Sequence, residues 1–224
     1  MPKPTHAIID GITYPIEATL RALDRSDCED SLYTFLQYAW RHIDPSPFVP
    51  GWPLEAICEH LQAVCDGDIR RLIINLPPRM GKSSILSVAY PAWTWAQSDR
   101  GPTSGPGVQF LHASYANQLS LRDSVKCRRL IESAWYQKLW GERFNLNSDQ
   151  NTKSRFSNDK GGERLITSIG AAVTGEGGNI IPSELAALRF EMLSYRPNKH
   201  TGDRLMAMWF AREGIRRTLG KRFR

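Results

Sequence analysis

Apolar residues recur at helical spacing through "DSLYTFLQYAWRHI" (30–43), where Leu32, Phe35, Leu36, Ala39, Trp40 and Ile43 share one side. "DPSPFVPGWP" then breaks the pattern with four prolines and a glycine, so the spacing predicts a helix followed by a loop. "LEAICEHLQAVCDGD" predicts a second amphipathic helix, carrying Leu54, Ile57, Cys58, Leu61 and Val64 on one face, with Gly67 as its stop. "RRLIINL" (70–76) is a short run of β-type residues and reads as a buried strand. "GKSSILSVAYPAWTWAQ" is mostly helical in pattern, with Pro91 expected to kink or end it.

The turn-rich "GPTSGPG" (101–107) leads into "VQFLHAS", a second buried-strand candidate, and a long helix begins near Asn117 with "NQLSLRDSVKCRRLIESAWYQKLW". "TKSRFSNDKGGERLITSIG" predicts two strands joined by a turn at 158–162, and "GAAVTGEGGN" is a glycine-rich loop. Strand, helix, strand, helix is the order of an α/β fold with a mainly parallel sheet flanked by helices.

Composition narrows the class. The chain has 224 residues and a net charge of +6, and no run approaches 18 apolar residues, so neither a membrane span nor an export signal is expected. The four cysteines lack C-x-x-C spacing, and Cys58 and Cys65, on one helix face, read as small core residues rather than metal ligands. A reducing, cytoplasmic compartment fits this usage. The basic character is concentrated at one end: residues 189–224 carry ten Lys or Arg against three acidic residues, and the preceding 188 sum to −1. A nucleic-acid contact and a solvated basic helix both account for that asymmetry.

"LPPRMGKSS" (76–84) is close to the phosphate-binding pattern G-x-x-x-x-G-K-[ST], with Leu76 in place of the first glycine and Gly81, Lys82 and Ser83 where the pattern requires them. Such a loop works by geometry: a strand ends, backbone N–H groups wrap phosphates at a helix start, the lysine meets the β and γ oxygens, and the hydroxyl ligates magnesium. Pro77 and Pro78 can impose the turn that a first glycine would otherwise permit. The expected nucleotide contacts are therefore Pro78, Arg79, Met80, Gly81, Lys82, Ser83 and Ser84, with ATP as ligand and Ser83 as the protein's Mg2+ ligand. Trp52 could stack on a base or anchor its loop to the core. Lys126, Arg128 and Arg129 form a basic run that reads either as a solvated face or as a DNA-backbone contact.

Taken together, "LPPRMGKSS", "FVPGWPLEAICEHLQAV", "YPAWTWAQ", "FLHASYANQLSLRDSVKCRRLIES" and "TSIGAAVTGEGGN" resemble the ATPase half of large terminase subunits of tailed bacteriophages, over roughly residues 30–180. The resemblance implies a P-loop NTPase-like fold that drives double-stranded DNA into a prohead in the host cytoplasm. It implies an oligomer on the portal, with a small terminase subunit as partner. It places Arg79 and Lys82 in catalytic roles, with Arg79 on the γ-phosphate, where a planar, permanently charged guanidinium is well suited. The alternative for Arg79 is a surface salt bridge.

The sequence departs from that pattern where hydrolysis needs an apolar strand ending in an acidic pair. After "GEGGN" it reads "IIPSELAALRF", and Pro182 argues against a central strand there, so Glu184 is not taken as the missing acid. The tail, "ELAALRFEMLSYRPNKHTGDRLMAMWFAREGIRR", is similar to the end of the same family's nuclease domain. By that resemblance Asp203 would belong to a metal-binding carboxylate cluster; by its position it caps the following helix. The expected organisation is an N-terminal helical arm (1–50), an ATPase core lacking a recognisable acidic strand (51–181) and a basic tail (182–224). Two functions follow as expectations: an ATP-binding protein of DNA packaging with impaired hydrolysis and no nuclease activity, or a non-catalytic DNA- or partner-binding remnant of a prophage terminase.

Overall fold

The computed structural model describes residues 5–9, 12–76, 80–114, 117–148, 151–168 and 178–182, all within the first of the two units into which the chain divides, Met1–Pro182. The architecture is α/β. A hairpin of β1 (His6–Ile9) and β2 (Ile12–Pro15) precedes three helices: α1 (Ile16–Asp30), α2 (Leu32–Ile43) and α3 (Trp52–Asp66). Ser31 separates the first two because its extended backbone ends α1 while its hydroxyl accepts from the Thr34 N–H (3.1 Å) to start α2. Leu32, Phe35, Leu36, Ala39 and Ile43 are buried, the face that the spacing predicts. Pro53 opens α3, where its missing N–H costs nothing, and Gly67 closes it in the left-handed conformation (φ 88°).

A continuous helical stretch follows the loop at 76–81: one turn of α4 (Lys82–Ser84), a π-helical turn (Ile85–Ala89) and α5 (Tyr90–Ala96). The π turn lies just ahead of Pro91, whose ring would crowd the carbonyl four residues back in a regular α-helix, so the wider turn accommodates the proline without ending the helix. Every residue of α5 is buried. Both of its indoles are nevertheless partnered, Trp93 Nε1 donating to the Cys28 carbonyl (2.8 Å) and Trp95 Nε1 to that of Val108 (2.9 Å), and the Tyr136 hydroxyl donates to the Ala92 carbonyl (2.8 Å).

β3 (Gln109–Ser114), α6 (Asn117–Glu132), α7 (Ala134–Trp140), β4 (Arg155–Ser157) and β5 (Glu163–Ser168) complete the described elements. The expected single long helix is two, because Ser133 is extended and caps α7 by accepting from the Tyr136 N–H (3.2 Å). The sheet is small and mixed, in the order β3-β5-β4: β3 and β5 are parallel, with Phe110 opposite Arg164, and β4 and β5 form the expected antiparallel pair. Phe35 packs against Trp135, Tyr136 and Trp140 at ring separations of 5.5, 6.4 and 5.6 Å, which ties α2 to α7. All four cysteines are buried free thiols, Cys58 and Cys65 on one face of α3 as expected.

Two strand expectations need correction. Residues 71–76 join no strand ladder among the described residues; Leu72, Ile74 and Leu76 pack on the core while Arg71, Ile73 and Asn75 are exposed, an alternation with period two rather than a fully buried run. The flank of β3 opposite β5 is occupied instead by residues 178–182. Leu111 N–H donates to the Ile180 carbonyl (3.0 Å), Ala113 N–H to that of Pro182 (2.9 Å), and Ile180 N–H to that of Gln109 (3.2 Å), forming a parallel bridge. Pro182 therefore does not bar the pairing. It leaves one bond of the pairing unmade, because without an N–H it cannot donate to the Leu111 carbonyl, while its own carbonyl still accepts from Ala113.

Candidate phosphate-binding loop

Gly81 sits at φ 74°, the left-handed region, immediately before the helical stretch that begins at Lys82. A Cβ there would meet only ordinary contacts, 3.7 Å from Leu54 Cδ2 and 3.9 Å from Trp40 Cη2, so the glycine is required by conformation rather than by space. The first turn closes with the Ile85 N–H on the Gly81 carbonyl (3.0 Å). Lys82, Ser83 and Ser84 are half-buried in that turn, and Met80 is exposed. Among the described residues, neither the Lys82 ammonium nor the Ser83 hydroxyl has a hydrogen-bond or ion-pair partner. Pro77, Pro78 and Arg79 lie outside the described residues.

The start of α3 and the end of α2 flank this turn. Trp40 anchors the intervening loop, donating from Nε1 to the Ser46 carbonyl (2.8 Å) and packing on Phe48 (5.3 Å between rings). Trp52 takes no part in that anchoring, since it is 78% exposed. Of the two roles open to Trp52 in the sequence, core anchor is set aside.

The basic run on α6 divides. Lys126 Nζ stands 3.8 Å from Asp44 Oδ2, and Arg129 is exposed. Arg128 points elsewhere, with Nε 3.8 Å from Glu132 and Nη1 donating to the Asn151 carbonyl (3.3 Å). Beneath α6 lies a buried polar group that no sequence motif marks. Arg164 on β5 has no exposed surface and no acceptor on Nε, Nη1 or Nη2; Cys127 and Asp123 of α6 and His112 of β3 are its polar neighbours. Burial lowers the Arg164 pKa, opposed by the Cys127 sulfur and the Asp123 charge. Burial, and then Arg164, hold His112 well below the ordinary histidine range and therefore neutral. The signal was present in "ERLITS": alternation puts Arg164 on the inward face with Ile166.

The residues that remain fit a phosphate group: a left-handed glycine, a helix start, an uncommitted ammonium and a hydroxyl. They fit magnesium less completely, since among the described residues no group of three His, Cys, Asp or Glu could hold a metal, and Ser83 stands as a single prospective ligand. No helix among the described residues is long and apolar enough to cross a membrane. No family model, no curated protein and no solved structure matches the chain.

Proposed function

We propose that this chain binds a nucleoside triphosphate, ATP by resemblance, through residues 76–84, as the ATPase half of a phage large terminase does. The observation that carries the reading is Gly81 in the left-handed conformation directly ahead of a helix whose first residue, Lys82, has no ion-pair partner among the described residues. Backbone N–H groups at that helix start face outward along the helix dipole and favour an anion. The Lys82 ammonium neutralises β- and γ-phosphate oxygens, and the Ser83 hydroxyl contributes to the magnesium shell that bridges them. Arg79, by resemblance, meets the γ-phosphate.

The same resemblance supplies double-stranded DNA as the polymer being moved and a P-loop NTPase-like fold as the frame. Turnover is expected to be poor. After "GEGGN" the sequence reads "IIPSE", without the apolar run ending in an acidic pair that would hold the metal shell and orient water, and loss of general-base catalysis alone typically costs about 10² to 10⁴-fold.

Equilibrium binding of a fluorescent ATP analogue with Mg2+ tests the reading. Lys82→Ala should weaken it by about 10- to 100-fold, the worth of a charge-assisted contact. Equal affinity of the two proteins would overturn the loop as the site. Steady-state phosphate release, compared with Lys82→Ala and Glu176→Gln, tests the second part: fast turnover abolished by Glu176→Gln would show that the glycine-rich loop supplies the acid.

A further inference from the structure

Two side chains from different helices stand on the Cα side of Gly81. Trp40, in the last turn of α2, and Leu54, in the first turn of α3, place Cη2 and Cδ2 3.9 and 3.7 Å from where a Cβ would lie, and among the described residues no other heavy atom beyond the chain neighbours of Gly81 comes within 4 Å of that point. Both side chains are half-buried and pack on the core. They form a wall that the turn meets if it moves toward α2 or α3.

Within the turn itself there is less to hold it. No side chain caps the helix start, Met80 is exposed, and the bond from the Ile85 N–H to the Gly81 carbonyl (3.0 Å) is internal to the turn. Glycine has no side chain to anchor and the widest choice of backbone angles. The direction in which the first N–H groups of the helix point, on which anion binding depends, is therefore set by what the turn leans on.

Trp40 is itself fixed. Its Nε1 donates to the Ser46 carbonyl (2.8 Å), its ring meets Phe48 edge-on (5.3 Å, 65°), Phe48 meets Tyr33 in the same way (6.0 Å), and the Tyr33 hydroxyl accepts from the Gly51 N–H (3.3 Å). Swinging the indole away from Gly81 would break a hydrogen bond and an aromatic contact together. We propose that Trp40 is a positioning residue of the phosphate site: its indole fixes where the Gly81 turn presents the first N–H groups of the helix, without touching the ligand. The proposal rests on the reading of 76–84 as a triphosphate site. Trp40 lies outside that stretch of sequence and is brought to it by the fold.

The test compares three variants of the full chain. Trp40→Phe keeps a ring for Phe48 but lacks both the Nε1–H and the Cη2 edge, Leu54→Ala removes the other half of the wall, and Trp135→Phe makes the same aromatic substitution at a half-buried indole that packs on Phe35 and His42 instead. One readout needs no ligand: hydrogen exchange at the Ile85 amide, which closes the first turn on the Gly81 carbonyl, should be about 3- to 10-fold faster in Trp40→Phe and unchanged in Trp135→Phe. The other is affinity for inorganic triphosphate with Mg2+, measured by displacement of the fluorescent ATP analogue. Trp40→Phe and Leu54→Ala should each weaken it by about 3- to 10-fold, the worth of one misdirected hydrogen bond, and Trp135→Phe should match wild type.

A lower melting temperature in Trp40→Phe with both readouts unchanged would make the residue structural only and overturn the proposal. So would a loss of affinity for the ATP analogue with affinity for inorganic triphosphate intact, since Trp40 would then act on the base through Trp52 rather than on the phosphates through Gly81. Equal triphosphate affinity in wild type and Trp40→Phe, beside a loss in Lys82→Ala, would remove the positioning role and leave the nucleotide site standing. Absence of triphosphate and analogue binding in wild type would remove both.

Discussion

Arg164 of β5 and Asp123 of α6 are both buried where the two elements pack: the guanidinium has no oxygen acceptor, and the Asp123 carboxylate, whose charge favours that cation, is bonded through Oδ1 by the exposed Arg122 (3.0 Å). Asp123 thus contributes negative charge toward a buried cation while bonding outward. Removing one member of a buried pair leaves the other uncompensated, whereas replacing the buried charge with an apolar side chain removes the problem.

Asp123→Asn should therefore destabilise the chain by about 3 kcal/mol, and Arg164→Met should be neutral or stabilising by about 1 kcal/mol or more. Arg122→Ala, at the surface, should change stability by less than about 1 kcal/mol. Urea denaturation of the three variants checks the order. A loss on Arg164→Met as large as that on Asp123→Asn would mean that the guanidinium has an interior role beyond charge.

His112 makes stability depend on pH. Its pKa is depressed in the folded chain by burial and by Arg164, so below the ordinary histidine value of about 6.5 the unfolded chain binds a proton that the folded chain refuses. Stability is complete above that value and falls as pH drops below it, by at most about 1.4 kcal/mol per unit. His42, lowered by burial and then by Arg41, adds a smaller effect of the same sign. Denaturation midpoints at pH 7.5 and pH 5.5 should differ in wild type and differ much less in His112→Leu.

At Gly81 the backbone angle, not the surrounding space, sets the cost of substitution. Gly81→Ala should lose about 1 to 2 kcal/mol through left-handed strain, Gly81→Val more, and Gly81→Asn least among non-glycine residues. Thermal melts give the ranking. If Ala and Asn melt alike with glycine, the loop does not need its positive φ.

Gly178 and Pro182 bracket the parallel bridge on β3. A Cβ at Gly178 would lie 3.1 Å from the Gln109 carbonyl oxygen and 3.1 Å from the Leu111 nitrogen, so Gly178→Val should push 178–182 away and speed exchange of the Leu111 and Ala113 amides. Pro182→Ala restores a donor for the Leu111 carbonyl and should slow the same amides, by the roughly 0.5 to 1.5 kcal/mol of one backbone bond. Hydrogen exchange resolved at those two residues reads both outcomes.

The helices were legible because their signals are local: the inward face of α2, the Pro53 start and Gly67 stop of α3, and the turn at 158–162 all follow from nearest neighbours in sequence. Strand pairing is non-local. "RRLIINL" has a strand's composition, but the ladder position beside β3 goes to 178–182, more than a hundred residues later, and Pro182, which reads as a barrier, takes part through its carbonyl. The same limit applied to the candidate site. Gly81, Lys82 and Ser83 are contiguous and stand out by pattern. Arg164, by contrast, acquires its meaning only from burial beneath α6.

The four cysteines lend the chain an internal clock for opening. Burial pushes the thiols of Cys28, Cys58 and Cys65 up to about 12 and raises that of Cys127. At neutral pH burial keeps these groups as thiols, whereas alkylating reagents attack the thiolate. Each thiol then reacts only as fast as its helix exposes it, so labelling rates at Cys28, at Cys58 with Cys65, and at Cys127 time the separate release of α1, α3 and α6 without any engineered probe.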